Sequence, residues 1–229
     1  MGLHLVQFEN PLTTVHKVEC GSSFTLVLTT SGLLYSWGFG KSGSLGLGEV
    51  SFTATPKLIE RFYSGEKCDD ITDISCGSSH SLALDDKGRV FSWGNGQGGR
   101  LGHNQEVGEN APRQITFFKH PVKQIAAGDA SSAVITQEGQ VYLWGSGLNG
   151  RLGNGTSANI MLPELSMELR NYQVLNLMLG TSTSFSILES RSVLAWGSSK
   201  NGKLGHPMAM GKNFELPKEV VAVKDLQIF

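Results

Sequence analysis

Trp37 to Gly46 reads WGFGKSGSLG, and the same shape returns as WGNGQGGRLG from Trp93, WGSGLNGRLG from Trp144 and WGSSKNGKLG from Trp196. Successive tryptophans are 56, 51 and 52 residues apart, and a second glycine set, Gly21, Gly77, Gly128 and Gly180, keeps the same steps. Two markers that drift together show that a whole supersecondary unit repeats, at a period expected of β-propeller blades. Each unit can bury its apolar face only against its neighbours, so the 229 residues read as one repeat domain, 1–229.

Within one unit, ITDISCG ends at Gly77, HSLALDDKG ends in a turn at Asp86, Lys87 and Gly88, and RVFSWG leads to Trp93. Period-two alternation broken by such turns predicts antiparallel strands in a meander. HKVECG, FTLVLTTSG and LLYSWG repeat the pattern, as do VKQIAAG, SAVITQEG and QVYLWG. In the fourth unit Arg191 stands where Gly32, Gly88 and Gly139 stand in the others, which predicts a different turn there and a looser blade. Each tryptophan reads as core filling between blades, and each Leu-Gly that closes the loop as an anchor. Prolines follow at 56, 112, 163 and 217, where an edge or a strand start needs no ladder donor. They set approximate repeats of 12–56, 57–112, 113–163 and 164–217, with half-repeats 1–11 and 218–229.

Nineteen basic and twenty acidic residues leave a net charge of −1, so no long-range field draws the chain to nucleic acid or to an anionic membrane. No run approaches the roughly 20 apolar residues of a transmembrane helix. The reading is an intracellular protein, cytoplasmic or nuclear, with Cys20, Cys68 and Cys76 as buried thiols rather than a disulfide or zinc framework. GFGKS at Gly38 to Ser42 lacks the first glycine and the following helix of a phosphate loop. No nucleophile with a base, no carboxylate pair and no metal cluster stands out, so no catalytic residue, metal or cofactor is assigned.

The strand ending in glycine, the hairpin, the WGxGxxGxLG loop and the proline about ten residues later together resemble the repeats of the regulator of chromosome condensation family. The resemblance covers nearly all of the chain and implies an all-β, seven-bladed propeller. Four complete blades and terminal half-blades then make a partial arc of that ring. Met1-Gly2 matches the Leu-Gly of a preceding blade and VAVKDLQIF a following first strand, which predicts a segment of a longer propeller. Open strand edges near Val15 to Cys20 and Val220 to Phe229 are expected to favour self-association.

What the resemblance implies about function is a loop face that holds a partner protein: a small GTPase, a ubiquitin-pathway client, a ciliary component or chromatin. The candidates are Ser22, Ser78 and Asp129, which follow marker glycines, with His80 after the second. A second group lies in the long connection between Pro56 and Gly77, at Glu66, Lys67, Asp69 and Asp70. The alternative is guanine-nucleotide exchange on a small GTPase, the activity of the family's founder. There acidic side chains follow several marker glycines and a wedge projects from one blade. Here Asp129 alone is acidic and WGSGLNGRLG is of ordinary length, which favours the scaffold.

Overall fold

The computed structural model describes residues 5–40, 42–62, 70–206 and 211–220. Among the described residues sixteen strands form four antiparallel sheets, each built from consecutive strands. The first blade holds β1 to β4 (Val15–Cys20, Phe24–Thr29, Leu34–Phe39, Phe52–Leu58), the second β5 to β8 (Ile71–Cys76, His80–Asp85, Val90–Gly94, Glu109–Gln114). The third holds β9 to β12 (Val122–Ala127, Ser131–Thr136, Val141–Gly145, Ile160–Leu165), the fourth β13 to β16 (Val174–Leu179, Thr183–Leu188, Val193–Gly197, Phe214–Glu219). Among the described residues the only helical pieces are four three-residue 3₁₀ turns. The first strands of neighbouring blades touch, so they line the axis and the fourth strands form the rim. The blades make an arc of a propeller with no closed ring among the described residues.

Pro56, Pro112, Pro163 and Pro217 all sit inside the rim strands. A repeat boundary at proline therefore falls within the fourth strand of each sheet. On that open edge proline removes a donor and discourages pairing with other chains.

Between blades the packing repeats. Leu26, Leu28 and Leu34 meet Ile71, Ile74, Ala83, Phe91 and Trp93 of the next sheet. Leu82, Leu84 and Val90 meet Val122, Ile125, Val134 and Trp144, while Ala133, Ile135 and Val141 meet Val174, Leu177, Leu194 and Trp196. Each indole N–H donates to a loop carbonyl of the preceding blade: Trp93 to Ser44 at 3.0 Å, Trp144 to Arg100 at 3.0 Å, Trp196 to Arg151 at 2.9 Å. The same carbonyls accept hydroxyls from Ser81, Ser132 and Ser184. Gly46, Gly102 and Gly153, at φ of about +70 to +74°, lie so close that an added Cβ would stand 2.7–2.9 Å from the indole nitrogen.

The marker glycines answer a different need. None has positive φ, but a Cβ on Gly77 would stand 2.3 Å from the Gly128 carbonyl oxygen, and one on Gly128 2.8 Å from that of Gly180. At Gly77 and Gly128 close approach of backbone near the axis, not turn geometry, excludes a side chain, while at Gly21 the Phe24 ring fills the space.

Four expectations need correction. Trp37 is partly exposed, unlike the fully buried Trp93, Trp144 and Trp196, because no described loop of a preceding blade covers it; Phe8 packs on its edge instead. Cys20 is exposed for the same reason, Cys76 is partly covered, and Cys68 lies outside the described residues. Val15–Cys20 is an axial strand like β5, β9 and β13, so what is uncovered at this end is a sheet face rather than a special edge. The expected edge beyond Val220 lies outside the described residues. Finally, Arg191 keeps the turn of the other hairpins. Its φ is +66°, beside +77°, +73° and +82° at Gly32, Gly88 and Gly139, and its N–H donates to the Leu188 carbonyl at 2.9 Å as theirs do to Thr29, Asp85 and Thr136.

A left-handed conformation costs a non-glycine residue about 1–2 kcal/mol, partly offset by the extra unfolded-state freedom of glycine. Arg191→Gly is therefore expected to stabilise the fold by about 0.5–1 kcal/mol, read as a higher urea midpoint with unchanged slope. A second expectation concerns His80, which is fully buried against Gly77 and the next blade, its Nε2 2.9 Å from the Ser132 hydroxyl. Burial, with the Arg100 charge as a smaller contribution, pushes the imidazole down to about 3. The unfolded chain takes up this proton near the ordinary value of about 6.5, so the neutral imidazole's contribution is complete above that pH. It is lost toward pH 3 at about 1 kcal/mol per pH unit. Phe24 fills the equivalent place in the first blade, and His80→Phe should flatten the fall in denaturant midpoint between pH 7 and 5. An unchanged slope would assign the acid sensitivity elsewhere.

Candidate functional site

The turn between the first and second strands of every blade opens on one face of the arc, beside the axis. Residues just after the marker glycines are tied there by backbone bonds that cross from blade to blade. Ser22 N donates to the Ser78 carbonyl at 3.0 Å, Ser78 N to that of Asp129 at 3.4 Å, and Asp129 N to that of Gly180 at 3.3 Å. The Ser78 hydroxyl adds a bond to the Asp129 carbonyl at 2.9 Å. Ser22, Ser78, Asp129 and Gly180 thus form one ladder around the axial mouth, with the side chains after the marker glycines free to vary because the backbone makes the links.

Two arginines from the glycine loops reach the same mouth. Arg100 donates from Nε to the Gln97 carbonyl and from Nη1 to the Ser79 hydroxyl at 2.9 Å and the Asp129 carbonyl at 3.4 Å. Arg151, only 4% exposed, donates from Nε to the Leu148 carbonyl. Its Nη1 has no hydrogen-bond partner and stands 3.9 Å from Asp129 Oδ2. Burial holds both guanidinium groups below their ordinary range; Asp129 opposes this at each, and the Arg151 charge adds to it at Arg100. Lys203, at the matching place in the fourth blade, bonds Ser182. One partly exposed carboxylate, Asp129, therefore sits between two loop cations, Arg100 and Arg151, with Glu106 the further acidic group acting on Arg100.

The structure separates the candidates read from sequence. Ser22, Ser78 and Asp129 share the axial mouth. His80 lies beneath it but is fully buried, so it packs blades together and cannot touch a partner. Asp70 is exposed on the opposite face, beside the hairpin turns, where its carbonyl accepts the Asp86 N–H. Glu66, Lys67 and Asp69 fall outside the described residues. Arg100, Arg151 and Lys203 were not singled out from the sequence, although the residue before Leu-Gly changes from Ser44 to Arg, Arg and Lys between otherwise matched loops. Among the described residues no three His, Cys, Asp or Glu side chains gather to hold a metal.

Known proteins share this architecture. The model of the RCC1-like domain matches residues 4–228. The human E3 ubiquitin-protein ligase HERC2 is 35% identical over 195 residues, which is 84% of this chain and 4% of that protein. The crystal structure of human WBSCR16 superposes with a TM-score of 0.81 at 26% identity, over 93% of this chain and 55% of that one. Prp20p from Saccharomyces cerevisiae, whose structure was described with its binding to Gsp1p and histones, gives 0.80 at 18% identity, over 94% and 52%. The chain thus spans a small part of HERC2 and about half of these two solved chains. The repeat motifs, the four-stranded blades and the matched span agree: the chain belongs to the RCC1-like domain family.

Proposed function

We propose that the chain is a protein-interaction scaffold that engages its partner at the axial mouth, through Ser22, Ser78, Asp129 and the loop cations Arg100, Arg151 and Lys203. One observation carries the reading: a buried guanidinium with an unbonded Nη1 stands beside a partly exposed carboxylate, on a face whose backbone is fixed by bonds between blades. Buried charges that the fold leaves incompletely paired are costly, and the accessible member of this pair, Asp129, is the group through which a partner would act on it. A small GTPase, or a protein of the ubiquitin pathway or the cilium, is the kind of partner envisaged. An intracellular setting, cytoplasmic or nuclear, belongs to the same proposal and is compatible with the free thiols of Cys20 and Cys76.

Nucleotide exchange is the second reading, favoured by the likeness in fold to Prp20p and by Asp129 at the ladder. It requires a surface that binds the nucleotide-free GTPase more tightly than the loaded form, and no proton chemistry. Against it, the loop between β11 and β12 is of the same kind as in the other blades, and Ser22, Ser78 and Thr181 replace acidic groups.

Photo-crosslinking tests the face. A photoreactive residue at Ser78 is expected to capture a partner in cells, and one at Lys87, on the opposite face, is not. Capture from Lys87 alone would move the site to the hairpin side. In parallel, fluorescent nucleotide release from Ran-like and Rab-like GTPases is expected to stay at the spontaneous rate. Acceleration that disappears in Asp129→Ala would establish exchange instead.

A further inference from the structure

The loops that lead from Leu-Gly to the rim proline have the same length in the first three blades, so their places match one to one. In the second blade His103 Nε2 lies 2.9 Å from the Ser92 hydroxyl, and Glu106 Oε1 accepts the Gly98 N–H at 3.1 Å. In the third, Asn159 Oδ1 accepts the Gly147 N–H at 3.2 Å. These polar side chains fasten each rim loop to its own blade. The first blade has Leu47, Val50 and Phe52 at the places of His103, Glu106 and Asn159, and none of the three can make such a bond. Leu47 packs on the apolar cluster between the first two blades, whereas Val50 and Phe52 belong to no such cluster among the described residues.

Their exposure does not depend on what precedes the first blade. Val50 and Phe52 are 43% and 62% exposed, and Glu106, Gly108, Ser157 and Asn159 at the same places are exposed as well, in blades whose preceding neighbour is present. The groove they border has both walls inside the described arc. Its volume is about 580 Å³, and it is lined on the first blade by Leu47, Val50, Phe52, Lys57 and Glu60 and on the second by Ala111 of β8. The rim strands of the third and fourth blades carry Leu162 and Leu216 at the place of Ala111. One wall has become apolar and the other has been cut back, so the groove between these two blades is open to an apolar guest.

Among the described lining residues the charges are Lys57 and Glu60. Lys57 Nζ stands 3.4 Å from Glu9 Oε1, and the two side chains are 53% and 79% exposed. Such a pair is weak, and another carboxylate can take the place of Glu9 at little cost. Glu60 disfavours a guest that carries further negative charge.

We propose that this groove is a second binding site, apart from the axial mouth and independent of it, and that its occupant is a short segment of a partner protein with two apolar side chains and one carboxylate. The apolar pair fills the space between Val50, Phe52 and Ala111, and the carboxylate pairs with Lys57. A free small molecule is mostly enclosed by its site. Here Val50 and Phe52 stand open to water, which suits side chains presented from a backbone that stays solvated and leaves an acyl chain partly wet.

The test titrates the full chain, by fluorescence anisotropy, with dye-labelled peptides on a Gly-Ser background that carry two leucines at several spacings and, beside them, aspartate, serine or arginine. The aspartate series is expected to bind with a Kd below about 1 mM, more tightly than the serine series, with arginine the weakest. Ala111→Leu installs the residue of the third and fourth blades, and its folding is checked by its urea transition. It is expected to weaken binding about tenfold or more. Lys57→Glu is expected to invert the order, so that arginine peptides bind best, a gain that an unfolded chain cannot show. Absence of binding by every peptide overturns the inference, as does binding that Ala111→Leu leaves unchanged or an order that Lys57→Glu leaves unchanged. Self-association that Ala111→Leu abolishes, or binding of decanoate in place of every peptide, gives the groove to a second copy or to an acyl chain and overturns it equally.

Discussion

The hydrogen bond from a buried indole to a loop carbonyl of the neighbouring blade is the contact on which the rest of the structure depends. It needs a tryptophan at the end of a third strand, a loop that turns its carbonyl inward, and a glycine small enough to let the ring lie against the backbone. It cannot form within one blade, so each sheet is incomplete alone and the stability of the array lies largely in its interfaces. Truncating such an indole leaves a cavity worth about 3–5 kcal/mol, and its carbonyl then loses a partner in a dry environment. The recurring glycines, serines and tryptophans are the parts of this single contact.

That dependence explains what could be read from sequence. Repeat, strand order and blade assignment were legible because the contact demands the same residue types at the same places in every unit. The partial exposure of Trp37 was not, since a tryptophan's burial is decided by a neighbour that its own repeat does not contain. Arg191 misled for a related reason: the bond from its N–H to the Leu188 carbonyl and the pairing of β14 with β15 fix the turn, and the residue conforms at a cost. Propensity is a weaker constraint than a ladder of backbone bonds on both sides.

The candidate site was legible in halves. Counting from marker glycines found Ser22, Ser78 and Asp129, because those glycines are what lets the axial turns touch. Asp70 came from the long connection as a separate group, and it lies on the other face because a residue just before an axial strand and one just after it emerge on opposite faces, since the strand crosses the whole blade between them. Arg100 and Arg151 were hidden inside a motif whose glycines and leucine explain it structurally. The informative position was the one that changed between matched loops, where a side chain is not needed for packing and can serve the face.

The fourth blade shows how far the interfaces carry local shortfalls. In the second blade the Ser92 hydroxyl reaches both the Leu101 carbonyl and His103 Nε2. In the fourth, Ala195 replaces that serine and His206 Nε2 is buried without a hydrogen bond. Thr29, Asp85 and Thr136 bond the backbone of their hairpins through their side chains, and Leu188 cannot. Each shortfall costs on the order of 1 kcal/mol. The blade still keeps the register of the others, because Trp196, Ser184 and the apolar cluster with the third blade are complete. Its order is borrowed from its neighbour, and its other face, with Lys203, Gly202 and Gly205, is where a further sheet would lend more.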